Sequence, residues 1–171
     1  MTRLFSLATL AVASALVLAA CGGSSNSNSS GSSPSSSYGG AAASSAPSSS
    51  GGASVVSTKT SSMGTFLVDA SGRALYLWDA DHDSKSTCTA DCANDWPPLT
   101  TTGTPKASGG AKSSLLGTTK RADGSLEVTY AGHPLYTFAG DTKPGQTNGE
   151  GSNGFGAPWW IVSTGGKALQ Q

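Results

Sequence analysis

The chain has 171 residues, with ten Lys and Arg against ten Asp and Glu, and only 12% of its residues are charged. Dispersed, balanced charge leaves no basic footprint for nucleic acid. Three segments of different composition make up these totals: a leader, a tether and a domain.

Residues 1–20 carry one positive charge, Arg3, then an apolar run from Leu4 to Leu18, then small residues up to Cys21. That is the layout of an export signal, and the run is too short for a comfortable membrane span. Leu18-Ala19-Ala20-Cys21 resembles the lipobox of bacterial lipoproteins. The resemblance implies that Cys21 receives a diacylglyceryl thioether and becomes the mature N-terminus. A palmitate-type anchor of two or more chains would then hold the protein on the extracytoplasmic face of a membrane, since each buried methylene contributes about 0.8 kcal/mol. An ordinary cleaved signal peptide is the competing reading. Cysteine arithmetic favours the lipid: of three cysteines in an exported chain, lipidating Cys21 leaves Cys88 and Cys92 as a pair.

From Gly22 to Ser54 the sequence is almost wholly Ser, Gly, Ala, Asn and Pro, with no charge. Such a stretch cannot bury enough apolar surface to offset chain entropy and is expected to be a disordered linker, taken as residues 21–58. A flexible coil of this length reaches about 30 Å.

The domain is expected over 59–166, followed by a tail, 167–171. Its apolar residues come in short segments broken by Gly, Pro, Asp and Ser, which predicts an all-β fold of small antiparallel sheets, a sandwich of two pseudo-repeats. Phe66-Leu67-Val68 and Ala74 to Trp78 flank a turn at Ala70-Ser71-Gly72. Leu116 to Arg121 and Ser125 to Tyr130 flank Ala122-Asp123-Gly124. Further strands are expected over Leu135 to Phe138 and Trp159 to Ser163, and a helical turn over Thr89 to Asn94.

An internal repeat underlies this pattern. Val68 to Asp81 laid over Val128 to Asp141 without a gap matches Gly72 with Gly132, Leu75-Tyr76 with Leu135-Tyr136, Trp78 with Phe138 and Asp81 with Asp141. Beyond these the copies diverge, so the repeats are taken as about 64–100 and 125–163. Tyr76-x-Trp78-x-x-Asp81 and Tyr136-x-Phe138-x-x-Asp141 resemble the Tyr-x-(Phe/Trp/Tyr)-x-x-Asp motif of a bacterial predicted-lipoprotein family of secreted repeats of unknown function. Cys88-x-x-x-Cys92, Trp96-Pro97-Pro98-Leu99 and Gly132-x-Pro134-Leu135-Tyr136 resemble the same family. The resemblance implies no particular activity.

Residues two apart on a strand share a face, so each motif predicts an aromatic stripe, with its Asp just past the strand end to cap backbone N–H groups and fix the next loop. In a functional alternative, Asp81 and Asp141 line one site between the repeats. Cys88 and Cys92 are expected to form a disulfide in an oxidising compartment. Their spacing is also that of copper-carrying Sco-type proteins, and a copper or redox role would need His82 or His133 as well. Asp79-x-Asp81-x-Asp83 begins like a calcium loop, but Ser84 and Ala90 stand where an EF-hand needs Gly and Glu. Of Trp159 and Trp160 only one can enter the core, and the other is a candidate platform for a carbohydrate or a partner. No nucleophile elbow and no phosphate loop is present, so no catalytic residue, no metal and no cofactor is assigned. The expectation is a monomeric, non-catalytic module that binds an envelope protein or the cell wall.

Overall fold

The structure, a computed structural model, describes residues 52–170. The leader, Cys21 and most of the tether lie outside the described residues. Two hairpins form the frame. Strand β1 (Val55–Ser61) turns at Ser62-Met63 into β2 (Gly64–Val68), and β6 (Leu116–Lys120) turns into β7 (Leu126–Tyr130); both pairs are antiparallel. In the second turn Asp123 Oδ1 accepts the Ser125 N–H at 2.9 Å, and Gly124 takes φ 86°, a conformation glycine adopts without steric cost.

Short strands complete three small sheets. Strand β5 (Lys106–Ala107) lies parallel to β1 on the side away from β2. Strand β3 (Tyr76–Trp78) pairs antiparallel with β9 (Trp159–Ile161), and β4 (Thr100–Thr101) pairs with β7, which also takes β8 (His133–Pro134). Every other named pairing is antiparallel, and among the described residues the one α-helical element is the short α1 (Asp91–Asp95). The fold is all-β, in small antiparallel sheets. Strand β1 starts at Val55, inside the segment read as linker; its Ser57, Thr58, Thr60 and Ser61 hide it in a Ser-rich stretch. Lys167 to Leu169, read as tail, fold back after Gly165-Gly166: Ala168 bridges Val162, and the Leu169 N–H donates to Ile161 O at 3.0 Å.

Alternation along the strands feeds two cores, because neighbouring side chains point to opposite faces. Phe66, Val68, Tyr76, Trp78, Tyr136, Trp159 and Ile161 pack with Cys88, Cys92 and Trp96 in an aromatic core. Leu67, Leu75, Leu77, Val128, Leu135 and Val162 fill an aliphatic core on the other face.

Backbone hydrogen bonds fix how the repeats correspond. Leu67 N–H donates to Val162 O, Leu75 N–H to Leu67 O, and Val162 N–H to Leu75 O; the same ring joins Val128, Leu135 and Leu99. Leu67 is therefore the equivalent of Val128, Leu75 of Leu135, and Val162 of Leu99. The gapless alignment holds from Gly72 and Gly132 onward but slips by one residue before them. The first hairpin closes through Ala70-Ser71-Gly72, with Asp69 N–H on Arg73 O; the second closes through Ala131-Gly132 alone, at φ 50° and 86°. Two consecutive positive φ angles give the type I′ turn, which needs one residue fewer.

The rings also cross. Val162 ends the second repeat yet bonds to Leu67 and Leu75 of the first, while Leu99 ends the first yet bonds to Val128 and Leu135 of the second. Each repeat gives its last strand to the other.

Candidate functional site

The family motif lies where the repeats meet. Tyr76 N–H donates to Tyr136 O at 2.8 Å and Tyr136 N–H to Tyr76 O at 3.0 Å, an antiparallel pair between equivalent residues that marks a pseudo-two-fold axis. The side chains repeat the exchange. The Tyr76 hydroxyl donates to Asp141 Oδ2 at 2.7 Å, and the Tyr136 hydroxyl to Asp81 Oδ2 at 2.5 Å. The other oxygen of each carboxylate fixes its own loop: Asp81 Oδ1 accepts Thr87 N–H, and Asp141 Oδ1 accepts Asn148 N–H, both at 2.8 Å. The caps follow from a carboxylate at a strand end; the cross-repeat phenol bonds do not, because one repeat read by itself contains no partner for its own Tyr.

The rings obey the same symmetry. Trp96 and Trp159, equivalents by backbone position, stack across the axis with centroids 3.9 Å apart and planes 2° from parallel. Trp78 stacks on the outer face of Trp159 at 5.0 Å, and Phe138 lies on Trp96 at 4.4 Å. Tyr76 meets Trp96 edge-on at 5.2 Å, and Tyr136 meets Trp159 edge-on at 5.1 Å. Stacked and edge-to-face pairs are the favoured aromatic geometries, each worth about 0.5–1.5 kcal/mol beyond area burial. Sequence comparison missed the equivalence of Trp96 and Trp159 because the loops before them differ in length and composition.

The two surroundings of the axis are not alike. On the Tyr136 side, Arg121 Nη1 lies 2.6 Å from Glu127 Oε2 and also contacts Ser86 Oγ, while Nη2 donates to Cys88 O at 2.6 Å. Ser86 Oγ in turn lies 2.8 Å from the Tyr136 hydroxyl. Both members of the ion pair are buried, with 4% and 0% of their side chains exposed. Burial pushes the Glu127 carboxyl up to about 7 against the pull of Arg121. Burial alone would lower Arg121, but Glu127 outweighs it and holds the guanidinium above its ordinary value. Burial, reinforced by the neighbouring carboxylates, raises both tyrosines well above the ordinary phenol range, so each stays a hydrogen-bond donor. On the Tyr76 side the phenol oxygen accepts the Gly149 N–H at 3.3 Å, and among the described residues no ion pair stands behind it. Arg121, Glu127 and Ser86 carry no signal in the sequence beyond a lone Glu on an apolar strand.

Cys88 and Cys92 form a disulfide with Cα atoms 5.2 Å apart, set in the aromatic core. Cys92 lies in the helical turn α1, which delivers Trp96 to the stack. His82 is exposed and His133 half-buried. Among the described residues no group of three or more His, Cys, Asp or Glu side chains is placed to hold a metal ion. In the acidic loop Asp81 is committed to Tyr136 and Thr87, and Asp79 Oδ2 accepts the Trp160 Nε1–H at 2.9 Å. Trp159 is fully buried, and Trp160 is half-buried against the aliphatic core.

The site is an interlock. Its polar atoms bond to one another across the repeats, and its rings bury one another. The described residues contain no helix long and apolar enough to cross a membrane. No curated protein and no solved structure matches the chain. The model of one family, the secreted repeat of unknown function, matches residues 57–100 and 117–163, two copies that together cover more than half of the chain. Those two copies bound the halves that exchange strands here, and the chain belongs to that family of secreted repeats.

Proposed function

We propose that this chain is a lipoprotein, anchored through Cys21, whose domain is a rigid non-catalytic binding module on the extracytoplasmic face of the membrane. One observation carries the reading. The structure pairs Cys88 with Cys92, which leaves Cys21 as the one cysteine of three without a partner in the domain, at the position where the leader's small residues end. An exported chain with one odd cysteine next to such a leader is accounted for by lipid on that cysteine. The non-catalytic part rests on the interlock, where the motif carboxylates and phenols are satisfied by one another. The copper alternative has less support, since the two sulfurs are joined to each other and offer no thiolate ligand.

Membrane fractionation of the full chain tests the anchor. The wild-type protein should sediment with membranes and yield a mature N-terminus bearing a diacylglyceryl group. Cys21→Ser should move it to the soluble fraction. A Cys21→Ser protein that stays with the membranes would overturn the reading.

A further inference from the structure

One exposed turn joins the two halves of the domain. Up to Ser108 the chain is tied to the first half: Lys106 N–H donates to Ser54 O and Ser108 N–H to Val56 O, both at 2.8 Å. From Lys112 it is tied to the second, where Lys112 N–H donates to the Tyr130 hydroxyl at 2.9 Å and Leu115 O accepts the Ala131 N–H at 2.8 Å. Between them lies the turn Ser108-Gly109-Gly110-Ala111, closed by Ala111 N–H on Ser108 O at 3.2 Å, with Gly109 at φ 57°. Ser108, Gly109 and Gly110 are exposed.

The contacts of the interlock all cross this turn. The Tyr76–Asp141 and Tyr136–Asp81 bonds and the Trp96–Trp159 stack each take one partner from before it and one from after. So do the bonds of Leu99 to Val128 and Leu135, those of Val162 to Leu67 and Leu75, and the bond of Arg121 to Cys88 O. The disulfide lies wholly before the turn. Among the described residues, therefore, the backbone through the turn is the one covalent link between the halves, and none of the contacts requires its two partners to belong to one polypeptide.

What belongs to the single copy is the turn itself, and it is held lightly. Besides its closing bond it has Gly110 N–H on Thr58 Oγ1 at 3.0 Å, and at exposed groups water replaces a lost partner at little cost. The closed form depends on glycine, since a Cβ on Gly109 would come within 3.1 Å of Thr58 Oγ1 and its φ is positive; an extended form makes no such demand. Exchanging an identical element between copies is a low-cost route to a dimer, because the same contacts are made again and only the hinge changes. We propose that Gly109-Gly110 is a hinge through which two copies of this chain trade their second halves, forming a dimer in which Tyr76 and Asp81 of one copy bond Asp141 and Tyr136 of the other. The contacts fix the partner: residues 111–170 fill the surface that the first half offers, and a second copy supplies that same segment. The proposal goes beyond the anchored module and rests on the exchange of strands between the repeats.

The test refolds the exported chain bearing Cys21→Ser, which has no odd cysteine to oxidise, from urea with its disulfide intact. Isotope-labelled and unlabelled chains are refolded together in equal parts; light scattering gives the mass, and isotope-filtered NMR reads contacts between copies. Dilute refolding should give monomer. Concentrated refolding should add a dimer that shows cross-peaks between the Trp96 ring of one copy and the Trp159 ring of the other. Gly109→Pro fixes φ near −65° and cannot take the closed turn, so it should raise the ratio of dimer to monomer about tenfold at one protein concentration. Deleting Gly109 and Gly110 together removes the turn and serves the same purpose if the proline variant does not fold. Monomer alone at every concentration, a dimer without cross-peaks between copies, or a hinge variant that folds with the wild-type share of monomer would each overturn the proposal.

Discussion

At the residue scale, the family motif is explained by reciprocity. Tyr76 bonds Asp141 and Tyr136 bonds Asp81, so a motif that looks like two separate decorations of one repeat is a pair of crossed contacts. A hydrogen bond to a charged acceptor contributes about 1.5–3 kcal/mol, and its loss leaves a buried carboxylate short of a partner. Tyr76→Phe and Tyr136→Phe should each lower stability by about 2 kcal/mol in urea unfolding. Asp141→Asn should soften the effect of Tyr76→Phe, which a double-mutant cycle measures. Glu127 gives the molecule a pH dependence. Its folded value, about 7, lies above its ordinary 4.5, so the folded state holds the proton more tightly across that interval. The stability this lends is complete below the ordinary value and is lost as pH rises through about 7. The melting temperature should therefore fall between pH 5 and pH 8, and Glu127→Gln should flatten that slope.

At the scale of elements, the sequence showed the hairpins and hid what joins them. The turn at Ala122-Asp123-Gly124, the strands β2, β6 and β7, and the short α1 all stand within a few residues of where turn chemistry and apolar segments put them. Strand β1 escaped notice because its outward positions are Ser and Thr. Strands β4 and β5, two residues each, are defined by their partners rather than by any pattern of their own. The expected strand Leu135 to Phe138 is realised as single bridges at Tyr136 on either side of the axis, to Tyr76 and Pro98. A local disulfide is the one covalent brace of this region. Closing so short a loop limits few unfolded conformations, so Cys88→Ser with Cys92→Ser should cost about 2 kcal/mol and leave the fold intact. Circular dichroism and thermal unfolding check this.

At the scale of the whole molecule, the repeats are halves of one cooperative unit. Each lends its last strand to the other, and the Trp78, Trp159, Trp96 and Phe138 rings interleave one repeat with the other. Both cores draw side chains from both halves. That dependence was beyond the sequence, which displays the likeness of the copies but not that Trp96 and Trp159 are equivalents facing each other across an axis. The motif side chains are spent on this assembly, each phenol on the carboxylate of the other repeat.

Separating the halves tests this most directly. Residues 52–110 and 111–170, produced as two polypeptides, should each give the collapsed amide dispersion of an unfolded chain as monomers, and should recover the dispersed spectrum of the intact domain when mixed in equal amounts. A dispersed, cooperatively melting spectrum from either half alone as a monomer would contradict the exchange of strands between the repeats.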